Sequence, residues 1–334
     1  LFTLLIVSAS LGANLFNWIV ATHSGQCDLC GSDNDIVVTH SGHCESCESG
    51  DESKCTIMRP DPETLQEWTE AYNNAPKAYI DQEINKQLEF SQGSSFSLLS
   101  HLDYIPAERD QGSCGNCWVW AGTGVMEVAL DVQEGVFDRL SIQYFTSCYQ
   151  GGTAGDWACC GGWLNTLADW YQTNGFAIPW SNTNAHWQDR SRGCAYGTSV
   201  PCGTISTSSR YPIITCTAVT INTHGVGKET AINNIKNVLH QNKAVWFAFF
   251  LATGADWTNF GNFWWYSSES DVWNPDFSCG HGWDSGGGGH AVLCVGYDDT
   301  DPLNRYWIMV NSWGTAGGGR PNGIFLVDMD MDYD

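Results

Sequence analysis

Three side chains in this sequence have the types and settings that thiol-based acyl transfer needs. Cys117 stands in QGSCGNCWVWAG (111–122), where glycines lead into an apolar helical run, so it falls at a helix start. A thiolate there is stabilised by the partial positive charge of the helix end and by unpaired N–H groups. The thiolate is the nucleophile, so this placement raises reactivity at neutral or acidic pH. Such a thiolate needs an imidazole. His290 opens the buried strand-like run HAVLCVGY behind four glycines, and small residues before it leave room for a substrate. The imidazole must be held in one tautomer. Asn311, in NSWG after RYWIMV, offers an amide oxygen, with Trp313 available to shield that bond from water. The bland reading of Cys117 by itself is a buried or bridged thiol.

A second group of chemistry-bearing residues lies near the start. IVATHSGQCDLC (19–30) and IVVTHSGHCESC (36–47) repeat each other, each reading as a short strand, a turn and a C-x-x-C. Cys27, Cys30, Cys44 and Cys47 have zinc-knuckle spacing, with His23, His40 and His43 close by. Disulfides or cross-links between chains are the competing use in an exported protein. Haem attachment is disfavoured, since neither pair is followed by His.

The three segments around Cys117, His290 and Asn311 together resemble the papain-like (cathepsin-like) cysteine peptidases, whose motifs Q-G-x-C-G-x-C-W, H-A-V-x-x-V-G-Y and N-S-W-G they match in the family's order. The resemblance implies roles. Cys117 attacks the peptide carbonyl, His290 pairs with it as imidazolium and protonates the leaving amine, and Asn311 orients His290. The side-chain amide of Gln111 and the backbone N–H of Cys117 form the oxyanion hole. LSIQYFTSC (140–148) and ACCGGW (158–163) extend the likeness. Gly161 and Gly162 are then expected to let a substrate backbone approach. Disulfides carried over from the family pair Cys114 with Cys159 and Cys148 with Cys194, although Cys160 and Cys202 compete for these partners. Cys294, inside an apolar strand, reads as a buried free thiol. No cofactor is implied; zinc at the paired C-x-x-C is the one candidate.

The elements that must position these groups follow from periodicity. Residues 1–60 read as an apolar strand plus the C-x-x-C repeat. The apolar stretch before Asp28 fits either the tail of a secretory signal or a strand buried on its own chain or a neighbour. Asp61 as N-cap and Pro62 at the first position open helical pattern over 61–90, broken at Pro76, and a Ser-rich linker follows to about 97. This 61–97 segment is either an inhibitor lying across the cleft or a scaffold packed elsewhere. Residues 98–205 are helix-rich and carry the nucleophile; 206–334 are strand-rich and carry His290 and Asn311. The expected fold class is therefore α+β: a papain-like two-domain fold, helical domain plus antiparallel β-barrel-like domain, with an atypical Cys-containing N-terminal extension. The 253–289 stretch reads as a long Gly/Trp/Asp-rich insertion. The chain departs from the family after GIFLV, where the segment that helps close the pocket for the second residue on the acyl side is expected. That pocket is therefore expected to be open or built from elsewhere, with 253–289 as a candidate.

Composition narrows the rest. Hydrophobic residues make up 43% and there are 17 Trp, which describes a globular protein. A formal net charge of -23 repels phosphates and anionic lipid, so nucleic acid is excluded as a partner. The apolar N-terminal stretch, interrupted by Ser and Asn, makes no membrane span. Fifteen cysteines, even in number once one nucleophile is set aside, point to an exported, disulfide-bonded protein, extracellular or at the cell surface. The leading expectation is an exported cysteine endopeptidase acting on polypeptide substrates. The rival is a cell-surface structural or polymer-forming protein on the same fold, assembling through residues 1–55, whose edge strands template chain-to-chain pairing. A third reading is a zinc-dependent binding module fused to an inactive peptidase.

Overall fold

The computed structural model describes residues 57–90, 93–315 and 320–333, and the backbone alone over 2–9 and 18–23. Both C-x-x-C pairs lie outside the described residues. In chain order the elements are β1 (Phe2–Ala9), β2 (Trp18–His23), α1 (Pro62–Asn74), α2 (Gln82–Phe90), β3 (Ser95–Ser97), α3 (Cys117–Glu134), α4 (Ile142–Cys148), α5 (Leu164–Asn174), β4 (Phe176–Ala177), β5 (Tyr211–Pro212), β6 (Cys216–Thr220), α6 (Lys228–His240), β7 (Val245–Leu251), α7 (Gly254–Tyr266), β8 (Val272–Trp273), β9 (Gly288–Asp298), β10 (Tyr306–Val310) and β11 (Ile324–Asp328). Helices dominate before residue 205 and strands after it. The main sheet runs β2-β6-β1-β7-β9-β10-β11-β8, with β3 added on β9.

Helix α3 is the axle of the molecule. Every residue from Cys117 to Leu130 is buried, because one side packs on β7 and β9 and the other on α4 and α5. A helix that is apolar all round belongs inside a core. It stops at Gly135, whose φ of 64° closes the last turn in the left-handed region. Tryptophans lock it in place: the indole N–H of Trp118 donates to the Ala158 carbonyl at 2.9 Å, and that of Trp246, on β7, donates to the Trp118 carbonyl at 3.0 Å. Each pairs a buried donor that would otherwise be costly to desolvate.

Strand β9 carries the other half of the chemistry. It pairs antiparallel with β7, setting Phe249 opposite His290, and with β10, across a register shift between Ile308 and Met309. Because β10 ends at Val310, Asn311 emerges beside the start of β9. The supposed linker is ordered in part: Ser95–Ser97 pairs with β9, Phe96 lying opposite Tyr297. The 253–289 stretch is likewise no plain loop. It holds α7, opened by a reciprocal cap in which Thr253 accepts from the Asp256 N–H and Asp256 accepts from the Thr253 N–H, and β8, which adds to β11.

Three disulfides staple the helical half: Cys114–Cys159, Cys148–Cys202 and Cys160–Cys194. The expected Cys148–Cys194 bridge is not formed. Cys194 follows the loop packed on Cys160, and the chain brings Cys202 to the end of α4 instead.

Candidate active site

The asparagine fixes the protonation of the histidine. Asn311 Oδ1 accepts the backbone N–H of Ser312 at 2.8 Å, so that atom is an oxygen. It also lies 2.8 Å from His290 Nε2, which must therefore carry the proton. In a neutral ring the lone pair is then left on Nδ1, which has no hydrogen-bond partner among the described residues. Cys117 sits at the first position of α3, and its sulfur accepts the backbone N–H of Ala291, the neighbour of His290, at 3.4 Å. Helix start and strand start thus meet, 173 residues apart in sequence.

Trp313 lies over the imidazole, ring centroids 4.6 Å apart at 34°. Phe249, Trp257 and Phe260 close the remaining sides at 5.8, 6.5 and 6.5 Å. Gln111 is held from both ends: its Nε2 donates to the Cys114 carbonyl at 2.7 Å, and its Oε1 accepts the Ser312 hydroxyl at 2.6 Å. Ser312 therefore ties the Asn311 and Gln111 positions together. It was not singled out from sequence, although it stands inside NSWG.

Cys117, Gln111 and His290 are wholly buried, because the chain's own residues 57–59 cross the site. Met58 forms a two-way antiparallel bridge with Gly289: its N–H donates to the Gly289 carbonyl and its carbonyl accepts the Gly289 N–H, both at 2.8 Å. A Cβ on Gly288 would fall 2.5 Å from the Met58 carbonyl oxygen, so the glycines before His290 do make room for a backbone. Gly161 faces the same strap, its absent Cβ 3.3 Å from that of Met58; Gly162 instead makes space for Trp118, at 2.4 Å. Arg59 donates to the Ser285 and Gly287 carbonyls at 3.4 and 3.3 Å.

The helices of 61–90 lie beside the cleft and pin the strap. Asp61 caps α1 by accepting the Thr64 N–H at 2.7 Å. From α1, Trp68 stacks on Trp163 at 5.4 Å and reaches Phe250 at 6.2 Å. Residues 76–78 then bond to both sides of Thr220, and Asn237 on α6 holds the start of α2 through the N–H and carbonyl of Asp81.

Covering the site sets its charge state. Burial pushes the Cys117 thiol up to about 12, against the pull of backbone N–H groups of which Ala291 gives the largest. Burial pushes His290 down to about 4, opposed by its bond to Asn311. Under the strap both shifts favour the uncharged thiol and the uncharged imidazole, because a dry site disfavours both charges.

On the far side of Trp313 a cavity of 910 Å³ opens between α7 and the 110–113 and 188–191 loops. Among the described residues no cluster of His, Cys, Asp or Glu could hold a metal ion, and no helix is long and apolar enough to cross a membrane.

A cysteine at a helix start, an imidazole on the facing sheet and a strap across them are the arrangement of a thiol-peptidase fold in covered form. The chain belongs to the papain family of cysteine proteases, which residues 100–332 match. It is 25% identical over 246 residues to Cathepsin S of Mus musculus, covering 72% of this chain and 62% of that one. It is 28% identical over 223 residues to the senescence-specific cysteine protease SAG12 of Arabidopsis thaliana, covering 67% and 53%. The chain thus spans about half to three-fifths of the length of these curated relatives. Its fold is that of the procathepsins. That of a Trypanosoma congolense procathepsin B superposes with a TM-score of 0.53 at 18% identity, covering 84% of this chain and 85% of that one. The digestive procathepsin L2 of Tenebrio molitor gives 0.52 at 20%, covering 88% and 79%.

Proposed function

We propose that this protein is an exported cysteine endopeptidase held latent by its own residues 57–90. The observation that carries the reading is the meeting of the two groups: the Ala291 N–H, next to His290, donates to the Cys117 sulfur, and the tautomer that Asn311 forces on His290 leaves Nδ1 bare to take a proton. Once the strap leaves, water re-enters and the thiol proton passes to Nδ1. The sulfur attacks the substrate carbonyl, and the oxygen becomes an oxyanion held by the Gln111 amide and the Cys117 N–H. The imidazolium then gives its proton to the leaving amine, and water releases the acyl group from sulfur. Asn311 holds the ring throughout. The same N–H and carbonyl of Gly289 that the strap engages are free to pair with a substrate backbone. Three disulfides support an oxidising compartment.

The test is active-site alkylation. Iodoacetamide in mild reductant, followed by peptide mapping, is expected to modify Cys117 first, slowly in the full chain and faster as hydrolysis of a peptide ester appears. Labelling of Cys216 or Cys294 ahead of Cys117, or hydrolysis that survives Cys117→Ala, sinks the reading.

A further inference from the structure

Beside the covered nucleophile, the 910 Å³ cavity is as large as a pocket built for a sizeable ligand. Its position gives its role. Trp313 lies both over His290 and in the cavity wall. In the peptidase reading, His290 hands its proton to the leaving amine, so the chain beyond that amine continues past Trp313 into this cavity. The acyl side lies on the other flank, where Gly161 meets the strap and Trp68 stacks on Trp163.

The cavity walls differ sharply. One carries Asp110, Ser113, Gln188 and Arg190, with the Arg190 guanidinium already paired to Asp110. The other is α7, which presents Trp257, Trp265 and Tyr266. Trp265 is 44% exposed and Tyr266 83% exposed, large apolar faces that folding leaves uncovered. The shelf is stiff. The inner face of α7 packs Phe260 and Trp264 against Trp313 at 5.5 and 6.0 Å, so shelf and imidazole are registered through one indole. The cap formed by Thr253 and Asp256 fixes the other end.

We propose that the α7 shelf of Trp265 and Tyr266 selects polypeptides with an aromatic side chain on the leaving-amine side of the scissile bond. This rests on the peptidase reading and goes beyond it. Arg190 is paired with Asp110, and the cavity's other cation, Arg59, leaves with Ile57 when the strap does, so discrimination falls to ring stacking, about tenfold between an aromatic and a bare residue.

The experiment uses acyl transfer, which isolates the leaving side. The full chain in mild reductant is brought to steady hydrolysis of a peptide methyl ester, then offered phenylalaninamide or glycinamide. The amine nitrogen attacks the thioester carbonyl and the C–N bond forms. The C–S bond breaks, sulfur leaves with the electron pair, and the amine proton passes to His290. Amide product over acid product measures capture. Phenylalaninamide should be captured about tenfold better than glycinamide. In Trp265→Ala and Tyr266→Ala the preference should fall to within about twofold of equality, while Phe137→Ala, an exposed aromatic elsewhere, keeps it. Equal capture by the unmodified chain, or a preference that neither shelf variant moves, overturns the shelf. No ester hydrolysis in mild reductant, even from Trp68→Ala with the anchor of its strap removed, brings down the peptidase reading itself, and the shelf with it.

Discussion

Asn311 Oδ1 serves two donors, and that dual use decides how the site responds to acid. With Nε2 holding its proton, His290 becomes charged only by protonation at Nδ1, which has no partner among the described residues. Burial holds its pKa at about 4, against 6.5 for an imidazole in water. Below pH 6.5 an uncovered ring takes up a proton that the covered ring refuses. Strap closure therefore keeps its full stability above about 6.5 and loses it as pH falls toward 4, on the order of 3 kcal/mol at the limit. Cys117 works in the opposite sense. Its raised pKa leaves closure intact below about 9 and weakens it as pH rises toward 12. The expected outcome is a full chain whose strap opens in acid. Hydrogen exchange at the Met58 amide, followed by mass spectrometry and corrected for intrinsic rate, should lose protection between pH 6.5 and 4. Constant protection across that window would refute the burial account.

At the scale of elements, the strap is held by parts of unequal strength. The Met58–Gly289 bridge is backbone alone, and net hydrogen bonds contribute about 1 kcal/mol each. The indole of Trp68 is the larger anchor, being stacked on Trp163 and set against Phe250. Trp68→Ala should weaken closure by about 2 kcal/mol, raising the open population some thirtyfold. Alkylation of Cys117 should quicken by the same factor, while the far-ultraviolet spectrum stays as before. An unchanged rate would mean that α1 does not govern access. This division also explains what the sequence disclosed. The motifs around Cys117, His290 and Asn311 were legible because their chemistry demands particular side chains at fixed local spacing. The strap was not, because Met58 is held by an N–H and a carbonyl that nearly every residue owns. The Asp61 cap and Pro62 told that a helix forms over α1, but not against what its Trp68 packs. Helix α7 was hidden by its Gly and Trp content, although Thr253 and Asp256 spell a cap.

At the scale of the molecule, the two walls of the cleft are stabilised by different means. The sheet wall, β7 with β9 to β11, contributes Phe249, Leu293 and Phe325 to an apolar core that it shares with α3, α4 and α5. The helical wall spends many residues in turns around Trp157 and the 188–200 loop, and it carries all three described disulfides. Their pairing was the least legible feature, since Cys148, Cys194 and Cys202 stand close enough in sequence for either partner, and only the packing of Cys160 on the 194 turn decides. The Cys160–Cys194 bridge closes 34 residues. In the chain-entropy account such a loop removes about 4 kcal/mol of freedom from the unfolded chain. Asp189 anchors the same loop, accepting from Gln143, Thr198 and Ser199, so the native turn persists without the bridge and the loss falls on the unfolded state. Replacing both cysteines, Cys160→Ser with Cys194→Ser, should therefore cost about 2 to 4 kcal/mol in urea unfolding followed by tryptophan fluorescence, with Cys117 still the first thiol alkylated. An unchanged midpoint would show that the hydrogen bonds to Asp189 and the two remaining bridges hold this wall without Cys160–Cys194.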